Sequence, residues 1–498
     1  MNYRSLDENP SKKSLKPILS WIEKASSFML SKEYGKAIEC YKEALLESPN
    51  DSYTLYCKGV AHHNNMQLLE AVECYSVALQ INPINADAYE NLAQAQIQLE
   101  MFEDALICLR TAAALNPRKK RIHQSMGRVL IRLCNHNAAI DVLNHALTMD
   151  EKCPVTYAIR SEAYRGLNQL EASISDLQKA IELDHNNPEY AYNLSFDYLL
   201  SGEFVTGWGL YETRFLTKNF INSTKPTSDN RWHGHHDISN KTLLIYPEQG
   251  LGDQIQFARY ALILKGMGAK IIMPVEPPLI KLMQSLHPDI HVTTSMQSFS
   301  SLPPHDFHVP LMSLPGILNT DLESIPSTDR YLYADPSTES KWYSRVPHHS
   351  KLQIGIAWSG SQTHVNDHNR SMSLGKLFPF FNLDVDWHSL QTDIRPVDEH
   401  LLGQTPLIDW RNELHNFDET AGLIEQLDLV ITVDTSVAHL SAALGKPTWI
   451  MLAFAPDFRW LLDRADSPWY PSVRLFRQPQ PGDWDNVIAQ VTDSLIKL

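Results

Sequence analysis

A glycine turn that carries an acidic residue is the first place where residue types suggest chemistry. It consists of Gly250, Leu251, Gly252 and Asp253 and directly follows a short apolar run. Glycines let a backbone approach a ligand closely, and a carboxylate can remove a proton from a reacting hydroxyl. Because Asp is also favoured at helix starts, Asp253 is either a helix cap or a catalytic base. The turn lacks the third glycine of the dinucleotide-binding fingerprint, which argues against an oxidoreductase.

A second candidate site begins where an apolar run, residues 429–433, meets Asp434, Thr435 and Ser436. A strand that runs through hydroxyl side chains into a helix offers free backbone N–H groups, which suit a diphosphate. His439 lies one turn into the expected helix. It either faces the same ligand or is a structural histidine.

Three further patterns carry charge or possible metal ligands. Arg370 follows another expected strand, where it either neutralises a leaving diphosphate by paired hydrogen bonds or is a surface charge. Asp384 and Asp386 fit the D-x-D pattern of metal-dependent transferases, but hard cations need more oxygen ligands. The histidines of residues 231–237 lack helical ligand spacing. We therefore expect no metal site.

The elements that position these residues follow from the apolar runs. A short run, a glycine turn, a helical stretch at 254–265 and another run form a βαβ unit, which implies a parallel sheet. Two such blocks, residues 241–335 and 350–498, predict two Rossmann-like lobes of the GT-B architecture, with the active site at the carboxyl ends of the strands. We expect strands at 243–246, 269–273, 352–358, 387–390 and 429–433.

The first half of the chain repeats every 34 residues, the period of the tetratricopeptide repeat (TPR). Small residues and bulky residues recur in separate series, as close-packed helix pairs require. Six units fit residues 18–221, leaving an N-terminal tail, 1–17, and a linker, 222–240. The aromatic end of the sixth unit predicts a capping helix docked against the next domain. The small positions include Ala37, Ala71, Ala105 and Ala139, then Ala44, Ala78, Ala112 and Ala146, then Gly59, Ala93 and Gly127; the bulky ones are Tyr41, Tyr75, Leu109, Leu143, Leu177 and Tyr211.

Composition narrows the class of protein. The formal net charge of −15 argues against nucleic acid as a partner. The first thirty residues contain no apolar signal-peptide core, and no window approaches the ~18 apolar residues of a membrane span. We therefore expect a cytoplasmic protein without a membrane span. Cys40, Cys74 and Cys108 share the 34-residue period, so we expect structural cysteines rather than disulfides.

Several motifs together resemble bacterial TPR proteins fused to a domain similar to the ADP-heptose:lipopolysaccharide heptosyltransferases, glycosyltransferase family 9. The resemblance covers almost the whole chain. Related fusions glycosylate flagellin in some bacteria, which implies a protein acceptor on the concave face of the repeats. The motifs are residues 248–253 with 256–260, 366–371, 389–391, 434–440, 456–460 and 467–470.

The resemblance implies a role for each candidate. Asp253 is then the general base that deprotonates the acceptor hydroxyl, with Gly250 and Gly252 forming its turn. The reaction inverts the anomeric centre without a metal or cofactor, and a nucleotide-diphosphate sugar is the donor substrate. The implied donor-binding residues are Arg370, Ser371, Gln391, Asp434, Thr435, Ser436 and His439.

Two alternatives to a nucleotide-sugar-dependent protein glycosyltransferase stay open at this stage. The acceptor is a glycan or lipopolysaccharide, with the repeats serving assembly or a homo-oligomer, or the chain is a non-catalytic adaptor with an inert transferase-like domain. The chain also departs from its relatives, since Thr392 and Asp393 stand where Lys-Gly is common. That change puts the identity of the donor in question.

Overall fold

The computed structural model describes residues 10–221, 230–294, 303–347 and 351–498. The chain divides into two compact units, Met1–Gly166 and Leu167–Leu498. Residues 1–9 of the expected tail and 222–229 of the expected linker lie outside the described residues. Within the described ranges, no helix has the length and apolar character needed to cross a membrane.

The first unit is built of helices that pack in consecutive pairs, α1 with α2 through α7 with α8. Pro49, Pro83 and Pro117 each lie two residues beyond the end of the second helix of a pair, where proline cannot continue the helix. These prolines therefore mark the ends of α2, α4 and α6. The helices are α1 Pro10–Leu30, α2 Tyr34–Glu47, α3 Ser52–Asn64, α4 Leu68–Ile81, α5 Ala86–Gln98, α6 Phe102–Leu115, α7 Lys120–Arg132, α8 His136–Met149 and α9 Pro154–Gly166.

The 34-residue series occupy the contacts between paired helices. A Cβ added to Gly59 in α3 would lie 2.7 Å from the ring of Tyr75 in α4, and one added to Gly127 in α7 would lie 2.7 Å from Leu143 in α8. A larger residue at either glycine would force the two helices apart. The repeat array expected from the sequence is thus confirmed, and the six cysteines of the chain are free.

The second unit combines four helices with an α/β region. The first three of these helices share its core, since Leu170 of α10, Leu199 of α11 and Trp208 of α12 belong to the same buried cluster as the sheet residues. The aromatic residues of α12, Phe204, Trp208 and Tyr211, are each 1% exposed. The predicted docking of the aromatic segment is confirmed. These helices are α10 Leu170–Leu183, α11 Pro188–Ser201, α12 Phe204–Tyr211 and α13 Lys218–Ile221.

The α/β region contains two parallel sheets, ordered β3-β2-β1-β4 and β7-β6-β5-β8-β9-β10. The strands are β1 Thr242–Tyr246, β2 Lys270–Val275, β3 His291–Thr294, β4 Phe307–Pro310, β5 Gln353–Ala357, β6 Asp386–Ser389, β7 Ile408–Asp409, β8 Leu429–Val433, β9 Thr448–Leu452 and β10 Val473–Arg477. The strands predicted from the sequence are all present. Counted from β5 as its first strand, the second sheet has the doubly wound strand order 3-2-1-4-5-6. Its strand order reverses between β5 and β8, and such a reversal places a ligand crevice there. In the first sheet the strand order reverses between β1 and β4.

Helices cover both sheets. They are α14 Leu251–Phe257, α15 Arg259–Gly266, α16 Ile280–Met283, α17 Leu314–Ile317, α18 Pro336–Tyr343, α19 Asp367–Arg370, α20 Pro396–Leu402, α21 Phe417–Glu425, α22 Ser436–Ala443 and α23 Trp484–Leu495. The predicted single helix at 254–265 is instead the pair α14 and α15, which meet at Ala258.

Residues 230–240, part of the expected linker, pack against the first sheet. The backbone of Arg231 forms an isolated parallel β-bridge with His308 of β4. The side chain of Trp232 is 1% exposed. The indole of Trp232 donates a hydrogen bond to the backbone oxygen of His236 at 3.0 Å. A buried tryptophan therefore anchors this segment, whereas its histidines, His233, His235 and His236, are exposed.

Candidate functional site

The glycine turn of the first sheet and the start of α22 lie against each other. The turn follows β1, and α22 follows β8. A Cβ added to Gly252 would lie 3.0 Å from Cδ2 of His439 and 3.6 Å from Cα of Ser436. Glycine at this position therefore permits the close approach of two backbones, one from each sheet, and brings the two candidate sites of the sequence together.

Asp253 is the third residue of α14, whose N-cap is Gly250. It is therefore not the N-cap, although its carboxylate accepts a hydrogen bond from the backbone of Gly250, as an acidic residue does in a capping box. Burial raises the pKa of Asp253, Arg459 opposes that rise, and the nearby Asp457 adds to it. A raised pKa is what a carboxylate needs to act as a base near neutral pH.

Arg459 is a site residue that sequence reasoning missed as a functional candidate. Its guanidinium donates hydrogen bonds to Asp253, to Asp457 at 2.7 Å and to Gln256 at 2.7 Å. Leu461, two residues on, has φ 53° and ψ −171°, a region almost confined to glycine. The surrounding packing must therefore hold this strained segment, and Arg459 with it, in place. The only sequence signal was its place in the motif 456–460.

The turn after β8 carries the donor-type residues. Thr435 is the N-cap of α22 and Ser436 is its first residue, so the first backbone N–H groups of α22 have no acceptor within the helix. Arg370 donates from Nη1 to the backbone oxygen of Asp434 at 2.9 Å. Its Nε is buried and has no hydrogen-bond partner among the described residues.

Arg370 lies at the point where the strand order of the second sheet reverses, between β5 and β8. A Cβ added to Gly360, in the loop after β5, would lie 2.6 Å from Nη2 of Arg370. The guanidinium therefore occupies the space between the loops after β5 and β8, where doubly wound sheets bind ligands. A cation and a helix N-terminus at one point suit an anionic group.

His439 is buried and neutral. Its ring stacks on Trp460 with the centroids 5.4 Å apart, and Nδ1 lies 3.0 Å from the hydroxyl oxygen of Tyr470. Burial lowers its pKa well below the ordinary value, and the positive charges of Arg459 and other arginines lower it further. His439 can thus offer an uncharged ring to a ligand but not a positive charge.

Ser371 and Gln391 fasten the loops around this point. The hydroxyl of Ser371 donates to Asp367 at 2.6 Å and accepts from the backbone N–H of Gly360 at 2.9 Å. Oε1 of Gln391 accepts from the backbone N–H groups of Trp358 and Ser359, at 3.2 and 3.1 Å. Both side chains shape the end of β5, so their contribution to donor binding is indirect in this arrangement.

The other sequence candidates lie apart from this cluster. Thr392 and Asp393 are exposed after β6, where the backbone oxygen of Asp393 accepts a hydrogen bond from Gln391. Asp384 forms an ion pair with Lys351 at 2.5 Å. Among the described residues, no group of three His, Cys, Asp or Glu side chains is placed to hold a metal ion.

Asp434 gives the site a pH-dependent stability. Burial, together with the neighbouring carboxylate of Asp457, raises the pKa of Asp434 to about 6. Because the pKa in the folded state exceeds the unfolded value of 3.8, the stability that this group contributes below pH 4 is lost as pH rises through about 6. Asp434→Asn should therefore raise the thermal unfolding midpoint relative to wild type more at pH 7.5 than at pH 4.5. Equal differences at the two pH values would contradict this electrostatic assignment.

Two family models match parts of the chain. The model of glycosyltransferase family 9 (heptosyltransferase) matches residues 415–452, which include β8 and α22. The TPR model matches residues 18–51, 86–119 and 155–187. The chain carries tetratricopeptide repeats and a heptosyltransferase-like domain.

One curated protein is similar to most of this chain. Protein FlbA of Caulobacter vibrioides is 24% identical over 398 residues, which are 73% of this chain and 65% of FlbA. The match thus spans somewhat less than two thirds of the relative.

Some solved structures are similar to part of the chain. A MamA protein is 20% identical with a TM-score of 0.33 and covers 35% of this chain and 96% of its own. A TPR protein from Parabacteroides merdae is 20% identical with a TM-score of 0.39 and covers 40% of this chain and 80% of its own.

Proposed function

We propose that the chain is an inverting glycosyltransferase of the GT-B type that uses a nucleotide-diphosphate sugar. The observation that carries the proposal is the contact between the turn of Asp253 and the start of α22. One side presents a carboxylate with a raised pKa, and the other presents a helix N-terminus beside the half-buried Arg370. A single displacement at a sugar carbon requires a base on one side of that carbon and an anion-binding site for the leaving group on the other.

In the proposed reaction, Asp253 accepts the proton of the acceptor hydroxyl as the acceptor oxygen forms a bond to the anomeric carbon. The bond from that carbon to the diphosphate oxygen breaks, and its electron pair leaves with the diphosphate. Arg370 and the N–H groups at the start of α22 stabilise the departing negative charge. Attack opposite the leaving group inverts the anomeric centre. Since these groups supply the positive charge, we propose that the step needs no metal ion.

We further propose that the first unit binds a protein acceptor. Its helices α3, α4, α5 and α7 line a cavity of about 240 Å³, with amide and imidazole groups from Asn91, Gln94 and His63 at its wall. Asn91 donates to the hydroxyl oxygen of Tyr56 at 2.9 Å, and Gln94 donates to that of Ser125 at 3.3 Å. Side-chain amides that bridge successive repeats suit the backbone N–H and C=O groups of an extended peptide.

The donor part of the proposal is tested by thermal unfolding of the full-length protein with a panel of nucleotides and nucleotide sugars. A ligand at about 100 times its Kd stabilises the folded state by about 2.7 kcal/mol. We expect one nucleotide class to raise the unfolding midpoint in wild type and to lose this effect in Arg370→Met. If no member of the panel shifts wild type, the donor site is refuted.

The acceptor part predicts that Asn91→Ala combined with Gln94→Ala raises KM for a protein acceptor by about 30-fold, since the two lost hydrogen bonds contribute about 1 kcal/mol each and about 1.4 kcal/mol corresponds to a factor of ten. The turnover number and the KM for the donor should stay at wild-type values. Gln80→Ala, an exposed amide in α4, is the matched control. A KM for the acceptor that is the same in all three proteins would contradict binding at this cavity.

A further inference from the structure

The loop between β1 and the glycine turn is held by side chains from a distant part of the sequence. This loop, residues 247–250, contains Glu248 and Gln249. Both side chains are bound by residues at the end of α12 and in the 3₁₀ turn Glu212–Leu216 that follows it. Asp253 lies only five residues beyond Glu248.

Arg214 makes the stronger of the two attachments. Its guanidinium is fully buried and donates hydrogen bonds to both carboxylate oxygens of Glu248, at 2.7 and 2.8 Å from Nη2 and 2.9 Å from Nε. The remaining donors reach Ser313 at 2.7 Å and Glu212 at 2.6 Å. The ring of Phe215 lies 4.0 Å from the guanidinium carbon. Every polar edge of the guanidinium and one of its faces therefore have a fixed neighbour.

Tyr211 makes the second attachment. The amide of Gln249 donates a hydrogen bond to the hydroxyl oxygen of Tyr211. This hydroxyl also lies in the field of Asp253, whose negative charge contributes to the raised pKa of Tyr211. At the equivalent positions of earlier repeats, Tyr75 and Leu143 only fill the space beside a glycine. In the last helix pair, the same repeat position holds the loop of the candidate base.

Stability alone gives no reason for a buried ion pair at this place. Replacing such a pair with apolar side chains of similar volume is often neutral or stabilising, whereas the pair fixes geometry through its paired hydrogen bonds. A misplacement of about 1 Å of a catalytic group costs up to about 100-fold in rate.

We propose that Arg214 and Tyr211 are positioning residues, which act through Glu248 and Gln249 to hold the glycine turn and Asp253 in the reactive geometry. This inference rests on the proposed function, in which Asp253 is the base. If Arg214 has this role, the 3₁₀ turn after α12 contributes to the geometry of the transferase site and does not only cap the repeats.

The test uses the full-length protein with Arg214→Met, the double variant Arg214→Met/Glu248→Met, and Tyr211→Phe. The single arginine variant leaves a buried carboxylate unpaired and should unfold at a lower temperature. The double variant removes both charges and should recover the thermal midpoint. Its turnover number should still fall by about 10–100-fold, while the KM for the donor stays unchanged. Arg411→Met/Glu399→Met, a partly exposed pair at 2.8 Å, is the matched control and should keep wild-type turnover.

Amide hydrogen exchange gives a readout that does not depend on activity. The backbone N–H of Gln254 donates to Gly250 at 3.2 Å, so its exchange reports on the glycine turn. We expect faster exchange at this amide in the double variant and in Tyr211→Phe, which removes one oxygen and keeps the ring. Wild-type exchange and wild-type turnover in both would overturn the proposal. If wild type transfers no sugar, the proposed function fails, while the exchange result still decides whether these residues hold the turn.

Discussion

Asp253→Asn is expected to reduce sugar transfer by about 10²–10⁴-fold and to leave the affinity for the sugar nucleotide unchanged. Asparagine keeps the shape of the side chain and can still contact Arg459, but it cannot accept a proton from the acceptor. Donor binding depends on the other side of the gap, on Arg370 and the start of α22. Steady-state transfer and calorimetric titration of the donor measure the two effects separately.

The matched control for this variant is Asp289→Asn in the same sheet region. Asp289 is exposed and forms an ion pair with Lys265 at 2.9 Å, so its loss should cost little. We expect wild-type transfer in this control. Transfer by Asp253→Asn at more than about a tenth of the wild-type rate would remove Asp253 from the role of base, because that rate is outside the range for loss of such a group.

Replacement of Arg459 should have the largest effect on stability. Arg459→Met leaves the carboxylates of Asp253 and Asp457 without their shared cation, and breaking a buried pair in this way costs about 3–5 kcal/mol. Arg459→Lys should fall between methionine and wild type, because an ammonium group cannot reproduce a fork that contacts three side chains. Chemical unfolding at pH 8 measures both. Arg464→Lys, at a partly exposed ion pair with Asp466, is the control and should change stability by less than about 1 kcal/mol.

Replacement of Arg459 should also change the pH dependence of kcat/KM and of stability. Arg459 opposes the rise in the pKa of Asp253, so its removal raises that pKa further. A base must be ionised to act, and the acidic limb of kcat/KM should therefore move to higher pH in Arg459→Met, and by less in Arg459→Lys, which keeps the positive charge. The loss of stability in Arg459→Met should be larger at pH 8 than at pH 5, because the unpaired carboxylates bind protons at low pH. An unchanged acidic limb in Arg459→Met, or an equal loss of stability in Arg459→Met at both pH values, would contradict the coupling between Arg459 and Asp253.

The parts of the fold that follow from local patterns could be predicted from the sequence. The 34-residue series gave the helix pairs because small residues such as Gly59 are required opposite large ones such as Tyr75. The apolar runs gave the strands, since β8 occupies the predicted residues 429–433. The contact between Gly252 and His439 was not derivable from the spacing of the motifs, because it joins elements that follow different sheets.

The residues that sequence reasoning missed act across long separations. Arg459 reaches Asp253 over 206 positions, and Arg214 reaches Glu248 over 34. No local pattern pairs them, because each arginine lies in a short 3₁₀ segment without a regular period. The hydroxyl of Ser371 likewise could be assigned to the loop after β5 only once its contact with Gly360 was known.

The most direct test of the proposed transferase site is the crystal structure of Asp253→Asn with the sugar nucleotide that stabilises the protein most. We expect the diphosphate to contact the guanidinium of Arg370 and the backbone N–H groups at the start of α22. The anomeric carbon should face residue 253, with its bond to the diphosphate directed away from that residue. A nucleotide bound elsewhere, or a sugar whose anomeric carbon is shielded from residue 253 by the diphosphate, would contradict the proposed site.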